Sequence, residues 1–353
     1  MNNSFDNRST SICSKKDIKS MTFDELVCEF KKFEIKKYRA DQVFSWLSKG
    51  VGAFNEMANL PLEMRESFES KYKIISAKIF KRFVSADGTV KFLITLPDGN
   101  KIESVLMKYK YGYSVCLSTQ IGCKMGCKFC ASSSTKFIRN LSPSEIIAQL
   151  EIISKSENEK VSNITLMGVG EPFDNYENVI KFIKIVIAQN GMAIGARRIS
   201  ISTCGIINGI KKFADEKLGA TLSVSLHASD DHTRNAIMPI NRKFNLYKLI
   251  DSCRYYMHMT NRRISFEYIL LDNINDSEND AKQLANLILG LSAHVNLIPA
   301  NNIEGSYYFA SPIKRIELFA RTLIKFGVNV TVRRTLGNDI NASCGQLRRI
   351  AVQ

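Results

Sequence analysis

From residue 114 onward the chain alternates short apolar runs with stretches of helical spacing. The runs fall at 114–118, 163–167, 199–202, 222–226, 264–270 and 294–298, and a further one, 328–332, follows the last helical stretch. Runs this short and this apolar read as buried strands, and strands separated by helices pair in parallel. The pattern restricts the fold to β/α units, arranged as a doubly wound sheet or as an open or closed barrel. One intervening helix marks its own start: Ser142-Pro143-Ser144-Glu145 is a capping box with proline at the first helical position, opening a helix to about Ser154. In either architecture ligands gather at the carboxyl ends of the strands.

Upstream the periodicity changes twice. Residues 1–20, rich in Asn, Ser and Lys, carry no pattern and are expected to be a disordered tail. Residues 21–75 read as a small helical domain. Thr22 can cap a first helix while Glu25 reaches back to it, with Phe23, Leu26, Val27 and Phe30 at helical spacing. Ala40, Val43, Phe44 and Leu47 mark a second helix beside Trp46, and Pro61 opens a third. The basic residues here, Lys31, Lys32, Lys36, Lys37 and Arg39, would either track phosphates or solvate a helix face. From 76 to 110 apolar residues alternate around two Asp-Gly pairs, at 87–88 and 98–99, which predicts an antiparallel meander. Residues 111–353 form the β/α domain and its C-terminal segment.

Counting along the strands brings the motifs of chemical interest to one rim. After the first strand comes Cys123-Lys-Met-Gly-Cys127-Lys-Phe-Cys130. A [4Fe-4S] cube wants one ligand per iron, so Cys123, Cys127 and Cys130 would leave one iron open for chemistry. A zinc knuckle is the alternative, but it wants a fourth Cys or His at short range, and the next ones are Cys204 and His227. After the second strand, Gly168-Val-Gly170-Glu171-Pro172 lacks the third glycine of a dinucleotide fingerprint. Its glycines would let backbone approach a ligand and Glu171 would accept from an ammonium, or the segment is only a tight turn. Ser202 and Ser225, ending the third and fourth strands, could donate to a carboxylate or ribose, or cap the next helix. His227 reads as a satisfied, half-buried histidine or as a polar wall of the pocket, with no acid–base role in either case. Asn301, after the sixth strand, has the donors and the acceptor to read a ribose or an adenine edge.

Two more cysteines stand apart from the triad. Cys344, before a glycine in a polar turn near the end, is either an accessible thiol or a small buried residue. Cys116, seven residues before Cys123, shares a strand face with Ser114 and Ser118. Nine cysteines in a chain with no apolar leader are expected to stay reduced in a cytoplasmic protein. Nor does any run of about 18 apolar residues predict a membrane span. The formal charge is +15, with 49 Lys and Arg against 34 Asp and Glu, a field that attracts polyanions and makes nucleic acid the leading partner class.

Taken together, the segments between about residues 22 and 349 resemble the RlmN family, bacterial radical S-adenosylmethionine (SAM) methyltransferases acting on carbon-2 of an adenosine in 23S ribosomal RNA and in transfer RNA. The most specific stretches are Cys116-Leu-Ser-Thr-Gln-Ile-Gly-Cys123, the cysteine triad, 167–172, Ser225-Leu-His-Ala228, 294–299 and 339–347. The resemblance implies an α/β fold, a partial (β/α)6 TIM-like radical SAM barrel behind the small N-terminal helical domain and the short antiparallel β meander. It implies one [4Fe-4S] cluster on Cys123, Cys127 and Cys130, with Gly170 and Glu171 holding the amino end of SAM. Ser202, Ser225, Leu226, His227 and Asn301 would make the remaining SAM contacts. Cys344 matches the cysteine that becomes methylated, Cys116 its partner thiol in a transient disulfide, and Glu103 the proton acceptor. The arginine pairs at 197–198, 262–263, 333–334 and 348–349 would clamp RNA phosphates. An external electron donor such as flavodoxin, no membrane and a monomer complete the expectation.

The chain departs from that pattern in two places. The loop after Cys130, Ala-Ser-Ser-Ser-Thr-Lys-Phe-Ile-Arg139, lacks the family's usual glycine, and Asn302 stands where a proline is common. The sister Cfr-type family, which methylates carbon-8, shares the cluster and both extra cysteines. Pro172 after Glu171 resembles the carbon-2 group, since the sister usually has Ala there. An RNA-binding protein with a structural cluster, and an activase that installs a glycyl radical, are the readings from other classes. Neither gives Cys116 and Cys344 a reason to be present.

Overall fold

The computed structural model describes residues 15–301, 303 and 307–348. Asn302 and Arg349 lie outside the described residues. The N-terminal part comprises β1 (Lys16–Asp17), α1 (Phe23–Lys31), α2 (Lys37–Ser48), α3 (Leu62–Lys71) and β2 (Tyr72–Lys73). Four strands follow: β3 (Lys78–Val84), β4 (Val90–Thr95), β5 (Lys101–Tyr109) and β6 (Gly112–Cys116). After the short pair β7 (Gln120–Ile121) and β8 (Arg139–Asn140) come α4 (Pro143–Glu157), β9 (Val161–Leu166), α5 (Tyr176–Ile187), β10 (Ile199–Thr203), α6 (Ile207–Glu216) and β11 (Thr221–Ser225). The chain closes with α7 (Asp231–Ile237), α8 (Leu246–Thr260), β12 (Ile264–Leu270), α9 (Glu278–Leu287), β13 (Ala293–Pro299), α10 (Ile313–Lys325) and β14 (Asn329–Val332).

Ten strands make one sheet in the order β14-β13-β12-β11-β10-β9-β6-β5-β4-β3. Pairing is parallel from β14 to β6 and antiparallel from β6 to β3. The end strands β3 and β14 are not paired to each other, so the barrel is open, as a partial β/α barrel requires. Each apolar run of the sequence is one of its parallel strands, and β12 is buried along its whole length. The predicted meander is not a separate body. β5 pairs with β6 from Val105↔Cys116 to Tyr109↔Gly112, so the meander extends the barrel sheet past its first strand.

The helical caps are those the sequence announces. Thr22 and Glu25 form a capping box on α1, and Ser142 and Glu145 form one on α4 behind Pro143. The expected disorder of residues 1–20 fails for its last part. β1 pairs in parallel with β2, Ile18 is wholly buried, and Lys19 is buried in an ion pair with Glu151 of α4. Ser20 Oγ accepts from the Ser144 amide, pinning the same stretch to the start of α4. One apolar side chain with polar neighbours that all find tertiary partners is enough to order a segment whose composition is that of a tail.

Candidate active site

The loops leaving β6 and β9 run against each other. Leu117 N–H donates to Thr165 O, Gly168 N–H to Leu117 O, and Thr119 and Gln120 N–H to Val169 O. This contact explains the two glycines. A Cβ on Gly168 would lie 2.7 Å from the Leu117 carbonyl, and one on Gly170, whose φ is +109°, 2.6 Å from Gln120 Cβ. They let one loop approach the other, closer to the tight-turn reading than to backbone contact with a ligand. Beside this junction lie two clefts.

The first, the triad cleft, has about 900 Å³ of space including its mouth, room for a nucleoside-sized ligand beside a cluster. Cys123, Cys127 and Cys130 are half-buried in its wall. Burial pushes all three thiols up, Cys123 to about 11, so each thiolate is costly unless a cationic group compensates it. Among the described residues no three His, Cys, Asp or Glu side chains converge closely enough to hold a single metal ion. Three thiols spread around one cleft fit a multi-iron cluster better than a zinc knuckle.

Glu171 is buried at the cleft wall. Its Oε1 accepts from Phe173 N–H at 3.0 Å and its Oε2 from Cys204 N–H at 2.7 Å, while burial raises its pKa. His227, at φ +59°, accepts from Ile269 N–H through Nδ1 at 2.9 Å. Burial, with Arg234 second, lowers its pKa to about 3. The ring is therefore neutral with its proton on Nε2, and Phe129 of the cysteine loop packs edge-on against it at 4.8 Å, so it forms a neutral wall of the cleft, buried where a half-buried histidine was one of the expectations. Ser202 and Ser225 also line the cleft, and neither caps a helix: the caps of α6 and α7 are Ile206 and Asp230. Leu226 does not line either cleft; its peptide is bound on both sides, N–H to Glu267 O and carbonyl to Arg234 Nε.

Arg234 and Cys204 were not singled out by sequence. Arg234 is wholly buried and donates to Leu226 O, Ser225 O, Cys204 O and Asn241 Oδ1, tying together the loops after β10 and β11. An arginine on a short helix carries no local signal of such a role. Cys204 lines the triad cleft, its N–H donates to Glu171 Oε2, and burial pushes its thiol pKa well up.

The second cleft, of about 750 Å³, is contiguous with the first, and Cys344 lines both. Cys116 lies in it, with burial first and Cys344 second pushing its thiol up to about 12. Both thiols are free, so the disulfide expected as transient is not formed in this state. Asn301 faces this cleft and donates to the Cys344 carbonyl at 3.0 Å. Arg333 lines both clefts and stays charged, held first by Cys344 and also by Glu267, whose Oε2 is 3.4 Å away.

The segment carrying Cys344 is clasped from two sides. Gly345 O accepts from Ala131 N–H and Leu347 O from Ser132 Oγ, each at 2.7 Å, which gives the glycine-free loop after Cys130 its path. On the other side Asp339 accepts from Ser85 Oγ and Ala86 N–H, and Asp87 accepts from Gly337 N–H, so the β3–β4 turn holds residues 337–339. Glu103 is buried under this segment and lines neither cleft. Its Oε2 accepts from Arg348 N–H at 2.7 Å, and its Oε1 lies 3.4 Å from Lys91 Nζ without a hydrogen bond. Of the arginine pairs, 197–198 and 262–263 precede β10 and β12, at the amino ends of the strands and away from the clefts. Among the described residues of these pairs, only Arg333 and Arg334 border one of the two clefts.

Comparisons with known proteins agree with this geometry. Residues 16–74 match the ribosomal RNA large subunit methyltransferase N-terminal domain, and residues 117–285 match the radical SAM superfamily. The probable dual-specificity RNA methyltransferase RlmN of Clostridium novyi is 48% identical over 95% of this chain and 98% of its own length. The chain belongs to the RlmN family. A second RlmN relative, from Alkaliphilus oremlandii, is 45% identical over 96% of this chain and 99% of its own. A crystal structure of a radical SAM methyltransferase from Sphaerobacter thermophilus is 37% identical, covers 94% of this chain and 99% of that one, and superposes with a TM-score of 0.88. Among the described residues of this RlmN-family protein, no helix is long and apolar enough to cross a membrane.

Proposed function

We propose that this RlmN-family enzyme methylates carbon-2 of an adenosine in 23S ribosomal RNA, and in transfer RNA, with Cys344 as the methyl carrier. The observation that supports this most is the continuity of the two clefts through Cys344, with the cysteine triad on one side and the free thiol of Cys116 on the other. Carbon-2 of adenine is electron-poor and cannot attack a methyl cation equivalent as a ring nitrogen does, so the carbon must be delivered to it as a radical. When bound, a [4Fe-4S] cluster on Cys123, Cys127 and Cys130 together with SAM supplies the methyl group and a 5'-deoxyadenosyl radical.

The chain's own residues do the rest. Gly170, Glu171, Ser202, Ser225 and His227 line the triad cleft and form the SAM site, with Asn301 reaching SAM from the adjoining cleft and Leu226 standing behind the wall; the ammonium of SAM offsets the burial that raises the Glu171 pKa and so favours its carboxylate, and neutral His227 adds no competing charge. Cys344 carries the methyl carbon as a thioether and becomes bonded through it to the adenine. Glu103 takes the ring proton, and the one electron left unpaired by the addition passes back to the electron carrier, so that the adduct is closed-shell before release. Its burial raises its pKa and makes it the stronger base, and its approach to the adenine would require the Arg348 N–H that now occupies its Oε2 to be released. Cys116 Sγ then gives up its proton and attacks Cys344 Sγ. The sulfur–carbon bond breaks, its electron pair leaves with the methylene carbon, which takes a proton to become the methyl group, and the two cysteines end as a disulfide. An external electron donor such as flavodoxin supplies the electron that SAM cleavage consumes, and a two-electron thiol reductant restores both thiols. The enzyme is proposed to work as a cytoplasmic monomer.

Mass spectrometry of nucleosides from RNA treated with the reconstituted enzyme tests this directly. 2-Methyladenosine is expected; 8-methyladenosine would reassign the enzyme to the sister chemistry, and no methyladenosine would sink the reading.

A further inference from the structure

Tyr109 ends β5, and Tyr111 sits in the two-residue turn before Gly112 opens β6. Their rings are nearly parallel, with 6° between planes and 5.0 Å between centroids, an offset stack. The inner ring, Tyr109, lines the cleft that holds Cys116 and Cys344. The outer ring, Tyr111, is 68% exposed, although it belongs to no packed face of the sheet. Lys110 beside it is exposed, and exposed Arg334 borders the same cleft. A single exposed tyrosine needs no explanation, but a stack that begins in the wall of a reaction cleft and ends in solvent, with cations around it, is built like a platform for a base.

A nucleotide that enters the cleft leaves its own stack, and its neighbour on the strand loses a stacking partner. We propose that Tyr111 replaces that partner: it stacks the unpaired RNA base adjoining the target nucleotide, with Tyr109 as its backing ring and Lys110 and Arg334 meeting the adjacent phosphates. The proposal rests on the RNA-methylation reading above. Stacking is tolerant of base identity, so Tyr111 would add affinity and position the strand without reading its sequence.

The test uses the holoenzyme and an RNA hairpin whose single-stranded loop holds an adenosine next to 2-aminopurine, followed by anisotropy and 2-aminopurine fluorescence. For Tyr111→Ala the affinity is expected to fall roughly five- to a hundredfold, with loss of the quenching that the stacked probe shows in the wild type. Tyr111→Phe and Tyr111→Trp should stay within about twofold of wild type, because the ring and not the hydroxyl does the stacking. Unchanged affinity and quenching in Tyr111→Ala would overturn the proposal. So would a lowered melting temperature with unchanged RNA affinity, which would make the pair a hairpin brace only. Failure of the wild type itself to bind ribosomal or transfer RNA hairpins would instead remove the reading on which the proposal rests.

Discussion

Around the triad cleft the charged and imidazole side chains are already committed. Both oxygens of Glu171 accept from backbone N–H groups, His227 is locked in one tautomer by Ile269, and Arg234 spends three of its nitrogens on four acceptors. Across Cys344, in the adjoining cleft, the two sulfurs remain unbonded to each other: Cys116 and Cys344 are free thiols, and the Cys344 side chain is exposed while its segment is held through backbone groups and turn carboxylates. A cofactor needs a wall whose dipoles are set before it arrives, because any reorganisation would be charged against binding and reaction. A methyl carrier needs the opposite, a side chain free to face one cleft and then the other. The difference suggests that variants on the first side lose cofactor chemistry and variants on the second lose only transfer.

The sharpest way to break that division is Cys344→Ala. RNA methylation should vanish while iron content and SAM cleavage persist; retained methylation would refute the carrier role. Cys116→Ala should allow adduct formation but not release, leaving RNA attached to the protein after denaturation, as a gel shift would show. Absence of any such species removes Cys116 from the release step. A smaller, graded effect follows from the Cys116 pKa. Because burial raises it from 9.0 to about 12, the thiol is protonated at neutral pH, and the reactive thiolate grows about tenfold per pH unit above 7. Adduct resolution timed at pH 7, 8 and 9 should climb accordingly, and a flat profile means that another step limits release. Smallest is Asp339→Ala, which loosens the clasp between the β3–β4 turn and the carrier segment. Methyl transfer should drop by roughly tenfold with SAM cleavage unchanged, as misplacement of a reacting group by a fraction of an ångström does. Equal loss of both activities would show that the clasp supports the whole rim.

Legibility followed the range of the interaction. The parallel strands were readable because an apolar run of strand length declares itself within a few residues, and β12 matches its predicted bounds at both ends. The cysteine triad was readable for the same reason. Ile18 was missed because one apolar residue in a polar tail has no period, and its burial depends on β2 and α4. Gly168 and Gly170 left a ligand approach and a tight turn open, and only the folded chain shows that the object they approach is another loop. Two of the arginine pairs fell at the amino ends of strands, which the sequence shows, yet their distance from the clefts mattered only once a rim had been built.

The sequence by itself determined the β/α alternation, the caps of α1 and α4, the three thiols with no fourth nearby, and the family. These are matters of spacing and side-chain type, settled by neighbours along the chain. Only the tertiary structure decided that the meander continues the barrel sheet and holds the carrier segment, that Arg234 is buried among the loops of the triad cleft, and that Glu103 is sealed beneath Arg348, 245 residues away. It also decided that Cys116 and Cys344 share one cleft. Burial and charge are properties of surroundings, and for these residues the surroundings come from opposite ends of the chain.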